Sequence, residues 1–309
     1  MAFTIDIDEG KWSKDVLRIL LIDRTTNRNI IWGTDNYESL GKAYNSHYPI
    51  LFDLIIGKNS DVIQPRILKT KERQGSRTKE KAEVFTPSWV CNVQNNLVDN
   101  AWFGDENIFN REIEKGWETN IKKIRFPDKK SKTWQKYVDE KRLEITCGEA
   151  PYLVSRYDTV SGEPLALKDR IGILDRKMRV VGENTDSDTE WLKWSERAFQ
   201  SVYGFEFQGD SLLIARENLL ASYCDYMEEK LNRHPTSKEL VNIAKIISWN
   251  LWQMDGLTYT IPYGEAIEPI EQIMLFDFQE KDKKSLCIIK DWRAKRVYTF
   301  QDLVNKRSN

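Results

Sequence analysis

LEITCGEAPYL, residues 143–153, is the stretch whose reading decides the fold. Apolar and β-branched residues lead into Cys147-Gly148, and small residues then turn towards Tyr152 and Leu153. Two readings are open at this point. One is a buried strand reaching a tight turn; the other is the first loop of a nucleotide-type binding site, altered.

The chain downstream favours a wound α/β pattern. Trp191–Ser201 is amphipathic, SVYGFEF (201–207) is a short apolar strand, and DSLLIARENLLASYCDYMEEKL (210–231) repeats apolar residues at three- and four-residue steps. Thr236 and Glu239 have capping-box spacing ahead of LVNIAKII, and Ile247–Met254 and Leu286–Ile289 are further strand candidates. Strand alternating with helix predicts a largely parallel sheet with ligands at the carboxyl ends of its strands. Upstream, Ser88–Val98 reads as a helix, and VLRILLIDRTTNRNIIWGT (16–34) as two strands joined by a polar turn at Thr25–Arg28.

Within that frame the loop after the first strand is Cys147-Gly148-Glu149-Ala150, and the acid ending the second is Glu206. A carboxylate there can accept from both ribose hydroxyls, although a lone strand-end glutamate is more often simply solvated. A dinucleotide's pyrophosphate needs a GxGxxG loop of close backbone N–H groups. This loop has one glycine, a glutamate that repels phosphate, and Pro151 with no N–H, which disfavours NAD and ATP. A ligand without phosphates, such as S-adenosylmethionine, suits it better.

Composition sets limits on the rest. The 309 residues are 40% hydrophobic and 31% charged with net charge −1, ordinary for a globular protein and no announcement of a nucleic-acid binder. No apolar run of membrane-spanning length occurs, MAFTIDIDEGKWSK has acids where a secretory leader needs basic residues, and the four cysteines are scattered without a CxxC pair. A cytoplasmic protein with reduced thiols and no metal site is expected. RILKTKERQGSRTKEK (66–81) carries seven basic residues against Glu72 and Glu80, and reads equally as a solvated linker or a phosphate-contacting arm. The domains expected are a small α+β region at 1–65, a basic linker at 66–82 and the main domain at 83–309. Eleven tryptophans invite thoughts of base stacking, but several fall in apolar patterns that suit a core. No Ser-His-Asp or Cys-His arrangement is supported. IEKGWETNIKK (113–123) is read as surface.

Four segments in consistent order resemble γ-class adenine-N6 DNA methyltransferases, the modification subunits of restriction systems. KAEVFTPSWV is similar to their FTP element, EITCGEAPYLV to their D-P-x-C-G-S-G-x-F-L loop, VYGFEFQGDSLLIARENLL to their second motif, and NLWQMDGL to their G-D-x-L segment. The resemblance spans about Glu83 to Arg293. It implies a class I, Rossmann-like methyltransferase fold. It also implies an S-adenosylmethionine pocket made by Phe85, Thr86, Cys147, Gly148, Glu206 and Asp255. Phe85 and Thr86 would hold the methionyl tail and adenine edge, Glu206 the ribose and Asp255 the adenine amine. DNA would be the substrate, with a specificity or nuclease subunit as further partner.

The family's N-P-P-Y or D-P-P-Y, which holds the flipped adenine, has no counterpart with Pro-Pro. The aligned strand is LCIIKDWRAK (286–295), in which Asp291 would accept from the target amine and Trp292 would stack, the alternative being an ordinary strand end with a salt-bridged Asp. Only sixteen residues follow Arg293, so the second half of the family's sheet is absent from that position. The N-terminal region with the insert at Ser155–Gln200 rebuilds it, a partner does, or the sheet is incomplete. In the insert, Arg170, Arg176, Lys177 and Arg179 are candidate DNA-backbone contacts, a solvated face being the commoner role. Ala150 and Glu149 replace the loop's second glycine and its serine. A non-catalytic methyltransferase-like subunit that binds DNA or a partner is the alternative function.

Overall fold

A computed structural model of the chain describes residues 12–69, 86–264 and 285–307. Its first element corrects the expected hairpin. Helix α1 (Lys14–Leu21) occupies what reads as the first strand. Ser13 caps it by accepting from the Val16 N–H, and Val16, Leu17, Leu20 and Leu21 fall on one buried helical face. An apolar run this short satisfies both periods, and the cap with Asp15 in the first turn decides for helix. The polar turn itself survives: Asp23 accepts from the Thr26 N–H and hydroxyl, and an isolated antiparallel bridge joins Ile22 to Asn29.

Helix α2 (Ser88–Phe103) confirms the helix expected there and extends it to a left-handed Gly104 cap. A two-stranded hairpin of β1 (Asn110–Ile113) and β2 (Gly116–Thr119) follows, and the 113–123 stretch lies at the surface as expected, partly as this β-ribbon. Next come α3 (Trp134–Asp139), β3 (Arg142–Glu144), α4 (Ile173–Asn184), α5 (Asp188–Phe199) and β4 (Val202–Glu206). The chain continues through α6 (Gly209–Leu231), α7 (Ser237–Asn250), β5 (Leu251–Gln253), the hairpin β6 (Ile288–Asp291) and β7 (Arg296–Thr299), and α8 (Phe300–Arg307). The capping box is present: Thr236 Oγ1 accepts from the Glu239 N–H and Glu239 accepts from the Thr236 N–H. Ile247–Asn250, expected in a strand, closes α7 instead, and only Leu251–Gln253 is extended.

The parallel sheet runs β3-β4-β5, with Leu143 beside Tyr203 and Phe205 beside Trp252. Strand order follows chain order, so among the described residues there is no reversal to mark a switch point. Alternation along β4 separates two layers. Val202 joins the large core under the helices, whereas Tyr203 and Phe205 pack with Trp252, Cys287, Ile289 and Phe300 under the β6-β7 hairpin. Fully burying each such side chain contributes about 1.5–3 kcal/mol. The mixed α/β class with a parallel sheet is as expected. The insert at 155–200 forms α4 and α5 and adds no strand to that sheet.

The N-terminal residues share this core rather than forming one of their own: α1, Trp32 and Ile50 lie in the same apolar cluster as Leu219 and Ile247. The Arg216 guanidinium, fully buried, fastens them by donating to Leu20, Ile22 and Leu251 carbonyls. Most of the basic arm lies outside the described residues. Its start is tied down, with the Arg66 N–H on Glu149 and Lys69 paired to Asp210. The basic residues of the insert are also occupied. Arg176 donates to Asp99, Asn92 and Asn96 at 2.6–2.9 Å in the interior, and Lys177 to Val138, Glu140 and Ser201. Burial pushes Lys177 down to about 7. Arg170 binds Asp225 and Arg179 binds Glu183. A phosphate-facing row is therefore not what these side chains make.

Candidate functional site

A cleft of about 800 Å³ lies at the carboxyl ends of β3 and β4. Its floor is the turn after β3. Thr146 (φ 46°), Gly148 (φ 53°) and Ala150 (φ 61°) all adopt the left-handed region. For a β-branched threonine this conformation is a real outlier, and such strain concentrates at binding sites. Ala150 keeps the backbone shape a glycine would take, so the alanine at the loop's second glycine position changes energy more than geometry. The turn is locked to β4 by the Cys147 N–H on the Phe205 carbonyl, 2.8 Å, and the Cys147 thiol sits 3.2 Å from where a Cβ on Gly204 would be. Buried Cys147 is thus a packing residue whose thiol is pushed well up by burial, and its backbone lines the cleft.

Two carboxylates face this turn. Glu206 ends β4 and accepts from the Gly148 N–H at 2.9 Å with one oxygen, and from the Phe207 and Gln208 N–H groups with the other. Glu144 ends β3 and accepts from the Tyr152 and Leu153 N–H groups. Burial raises Glu206 above, and Glu144 well above, the usual carboxylate range. Among the described residues neither accepts from a cationic side chain, and backbone N–H groups alone hold both. Glu149 does not join them. It is buried the other way, on the Arg66 N–H and the Tyr157 hydroxyl, and so neither meets a ligand sulfonium nor repels a ligand carboxylate.

Thr86 lines the cleft, and its carbonyl is held by the Thr159 hydroxyl at 3.1 Å. Phe85 lies outside the described residues. Asp255 follows β5 at the same end of the sheet, but its carboxylate caps its own turn, accepting from Leu257 and Thr258, and it is not part of the cleft wall. Thr86, Cys147, Gly148 and Glu206 are therefore brought together and Asp255 stands apart.

Asp291 and Trp292 sit at the opposite end. Asp291 pairs at 2.7 Å with Lys141, which precedes β3, and closes its own hairpin turn by accepting from the Arg293 and Ala294 N–H groups. Burial alone would raise Asp291, but these bonds outweigh it and lower its pKa. The Trp292 indole N–H donates to Asn250, which precedes β5, and Arg293 reaches Gln200 ahead of β4 and Asp139 ahead of β3. Every one of these partners lies before a strand, whereas the cleft lies after, six residues or about 20 Å of extended chain away. The alternative of a salt-bridged strand end is what these residues form. They do not reach the cleft of their own chain.

Sequence reading missed three contributors. Gly33 reaches the cleft wall from the N-terminal segment, and a Cβ there would meet the Phe207 carbonyl at 2.6 Å. Asn95 of α2 holds the Tyr152 and Ile171 carbonyls beneath the cleft. Gly172 lets α4 start against the Leu153 carbonyl, 2.3 Å from a would-be Cβ. WGT and the asparagine-rich face of α2 were the available signals. Among the described residues no His/Cys/Asp/Glu group is arranged to hold a metal, and no helix is long and apolar enough to cross a membrane. No family model, curated protein or solved structure matches the chain.

Proposed function

We propose that this cleft binds S-adenosylmethionine and that the chain is a class I methyltransferase-like component of a DNA-modification system. The observation that carries the reading is Glu206. It is a buried carboxylate at the end of a parallel strand, bonded to the glycine turn of the preceding strand and opening on an 800 Å³ cleft. Its remaining lone pairs suit two ribose hydroxyls. Glu144 beside it, when ionised, suits a sulfonium or ammonium group and opposes a phosphate. Thr86 and the Gly148 backbone would border the same ligand.

The reaction expected from the resemblance is transfer of a methyl group to an exocyclic amine of a base, adenine N6. S-adenosylmethionine held by Glu206 and the Gly148 backbone would supply an electrophilic methyl group there, and the accepting amine would give up a proton on taking it. Alignment of amine and methyl would carry most of the rate. Asp291 and Trp292 lie too far from the cleft to hold a base there within one chain. That placement favours a second reading, a subunit that holds the cofactor without completing catalysis alone.

The test is calorimetric titration of S-adenosylmethionine and S-adenosylhomocysteine into the wild type and Glu206→Gln, followed by transfer of labelled methyl groups to DNA. Binding lost in the variant supports the cleft assignment, and no binding to the wild type overturns it. Bound cofactor without transfer selects the second reading.

A further inference from the structure

A second cavity, of about 500 Å³, lies between the β1-β2 hairpin, α4 and the last turns of α6. It is separate from the cleft. Ile171 lines it and Ile173 lines the cleft, while Gly172 between them is fixed by its N–H on Ser155 and Asp175. Its volume is that of a small-molecule site, and the buried side chains of Phe109, Ile171, Met178 and Trp191 give it apolar walls.

Two guanidiniums stand in these walls with donors unused. Arg170 engages Asp225 through Nη2 alone. Its Nε and Nη1 have no acceptor among the described residues, although the side chain is only 8% exposed. Arg176 fixes Asp99, Asn92 and Asn96 through its two amino groups, and its Nε is likewise buried without an acceptor. The nearby carboxyls are already committed. Asp175 accepts from Ser155, Gly172 and the Tyr226 hydroxyl, and Glu183 from Arg179 and the Ile124 N–H. Glu229 is exposed at the rim, as are Lys168 and Lys230. A buried charged donor without an acceptor is costly, and native interiors hold few of them.

Gly182 is an independent sign. It lies inside α4, where glycine is a poor helix former, and a Cβ there would meet nothing within 4 Å. No close approach calls for a glycine at this position. What the missing side chain leaves open is the cavity that Gly182 lines.

We propose that this cavity binds a small apolar molecule carrying a carboxylate. The apolar body would lie against Phe109, Met178 and Trp191, and the carboxylate would accept from Arg170, with Arg176 as a further donor in the same wall. A planar guanidinium suits a planar two-oxygen acceptor. This site owes nothing to the reading of the cleft.

Phenylacetate is the probe and phenylacetamide its uncharged counterpart, each titrated into the full chain and followed by saturation-transfer NMR. The acid should bind, and the amide should bind at least about tenfold more weakly, the scale of one lost charge-assisted hydrogen bond. Arg170→Gln should bring the acid down to the level of the amide. Gly182→Phe sets a ring into the cavity from a helix position with room for it, so it should abolish binding without lowering the melting temperature. That variant decides the matter even if Arg170→Gln fails to fold. No binding of the acid to the wild type overturns the proposal, as does equal binding of acid and amide. Binding that Gly182→Phe leaves intact places the probe elsewhere and overturns it too.

Discussion

The two ends of the parallel sheet differ in how fully their polar groups are used. At the start of the strands Lys141, Arg197 and Arg293 are matched by Asp291 and Asp139, and the Trp292 indole by Asn250. At the finish, two buried carboxylates are held by backbone N–H groups alone, over a turn with three left-handed residues. Saturation marks a staple that closes the fold. Strain beside buried carboxyls that no cationic side chain meets marks a place kept for a ligand.

The largest expected effect breaks the comparison if it fails. Glu206→Ala should lower S-adenosylmethionine affinity by about 100-fold, the scale of two charge-assisted hydrogen bonds, whereas Asp291→Ala should leave it unchanged. Calorimetry measures both, and equal losses in the two variants would dissolve the distinction between the ends.

Stability effects come next. Gly172→Ala forces a methyl group against the Leu153 carbonyl and should cost about 1–3 kcal/mol, read by urea denaturation. Ala150→Gly relieves a left-handed alanine and should stabilise by roughly 1 kcal/mol. If it did not, the turn's strain would be supported by contacts the backbone angles alone do not reveal.

The smallest effect sharpens the electrostatic half of the comparison. Glu144 and Glu206 have folded pKa values raised above the ordinary 4.5. As pH falls they take up protons before ordinary carboxylates do, so affinity for a cationic ligand should decline from above pH 4.5, and Glu206→Gln should flatten the decline. For stability the sign is opposite. A raised carboxyl binds its proton more tightly in the folded state, so its contribution is full below 4.5 and is lost as pH rises through the folded value.

Local chemistry was legible where it was self-contained. Thr236 and Glu239 satisfy each other within one turn, and the helix they start is where their spacing places it. The apolar strand ending at Glu206 needed only a short apolar run, and all five of its residues are buried. LRILL was misread because five apolar-rich letters fit either period, and Ile247–Asn250 because a buried helix end and a buried strand share one composition. Arg176 and Lys177 read as surface cations because their acceptors, Asp99, Val138 and Ser201, lie 24 or more residues away.

The sequence by itself determined the alternation of strands and helices, the glycine turn after the first parallel strand and the acid ending the second. Those depend on contacts within a few residues or on a two-fold or 3.6-fold period. Only the tertiary structure decided that Glu149 turns inward and that Asp291 joins Lys141 across 150 residues. In each case the deciding partner is supplied by a distant segment. A side chain's type states which bonds it can make; the packing of the whole chain chooses which of them it makes.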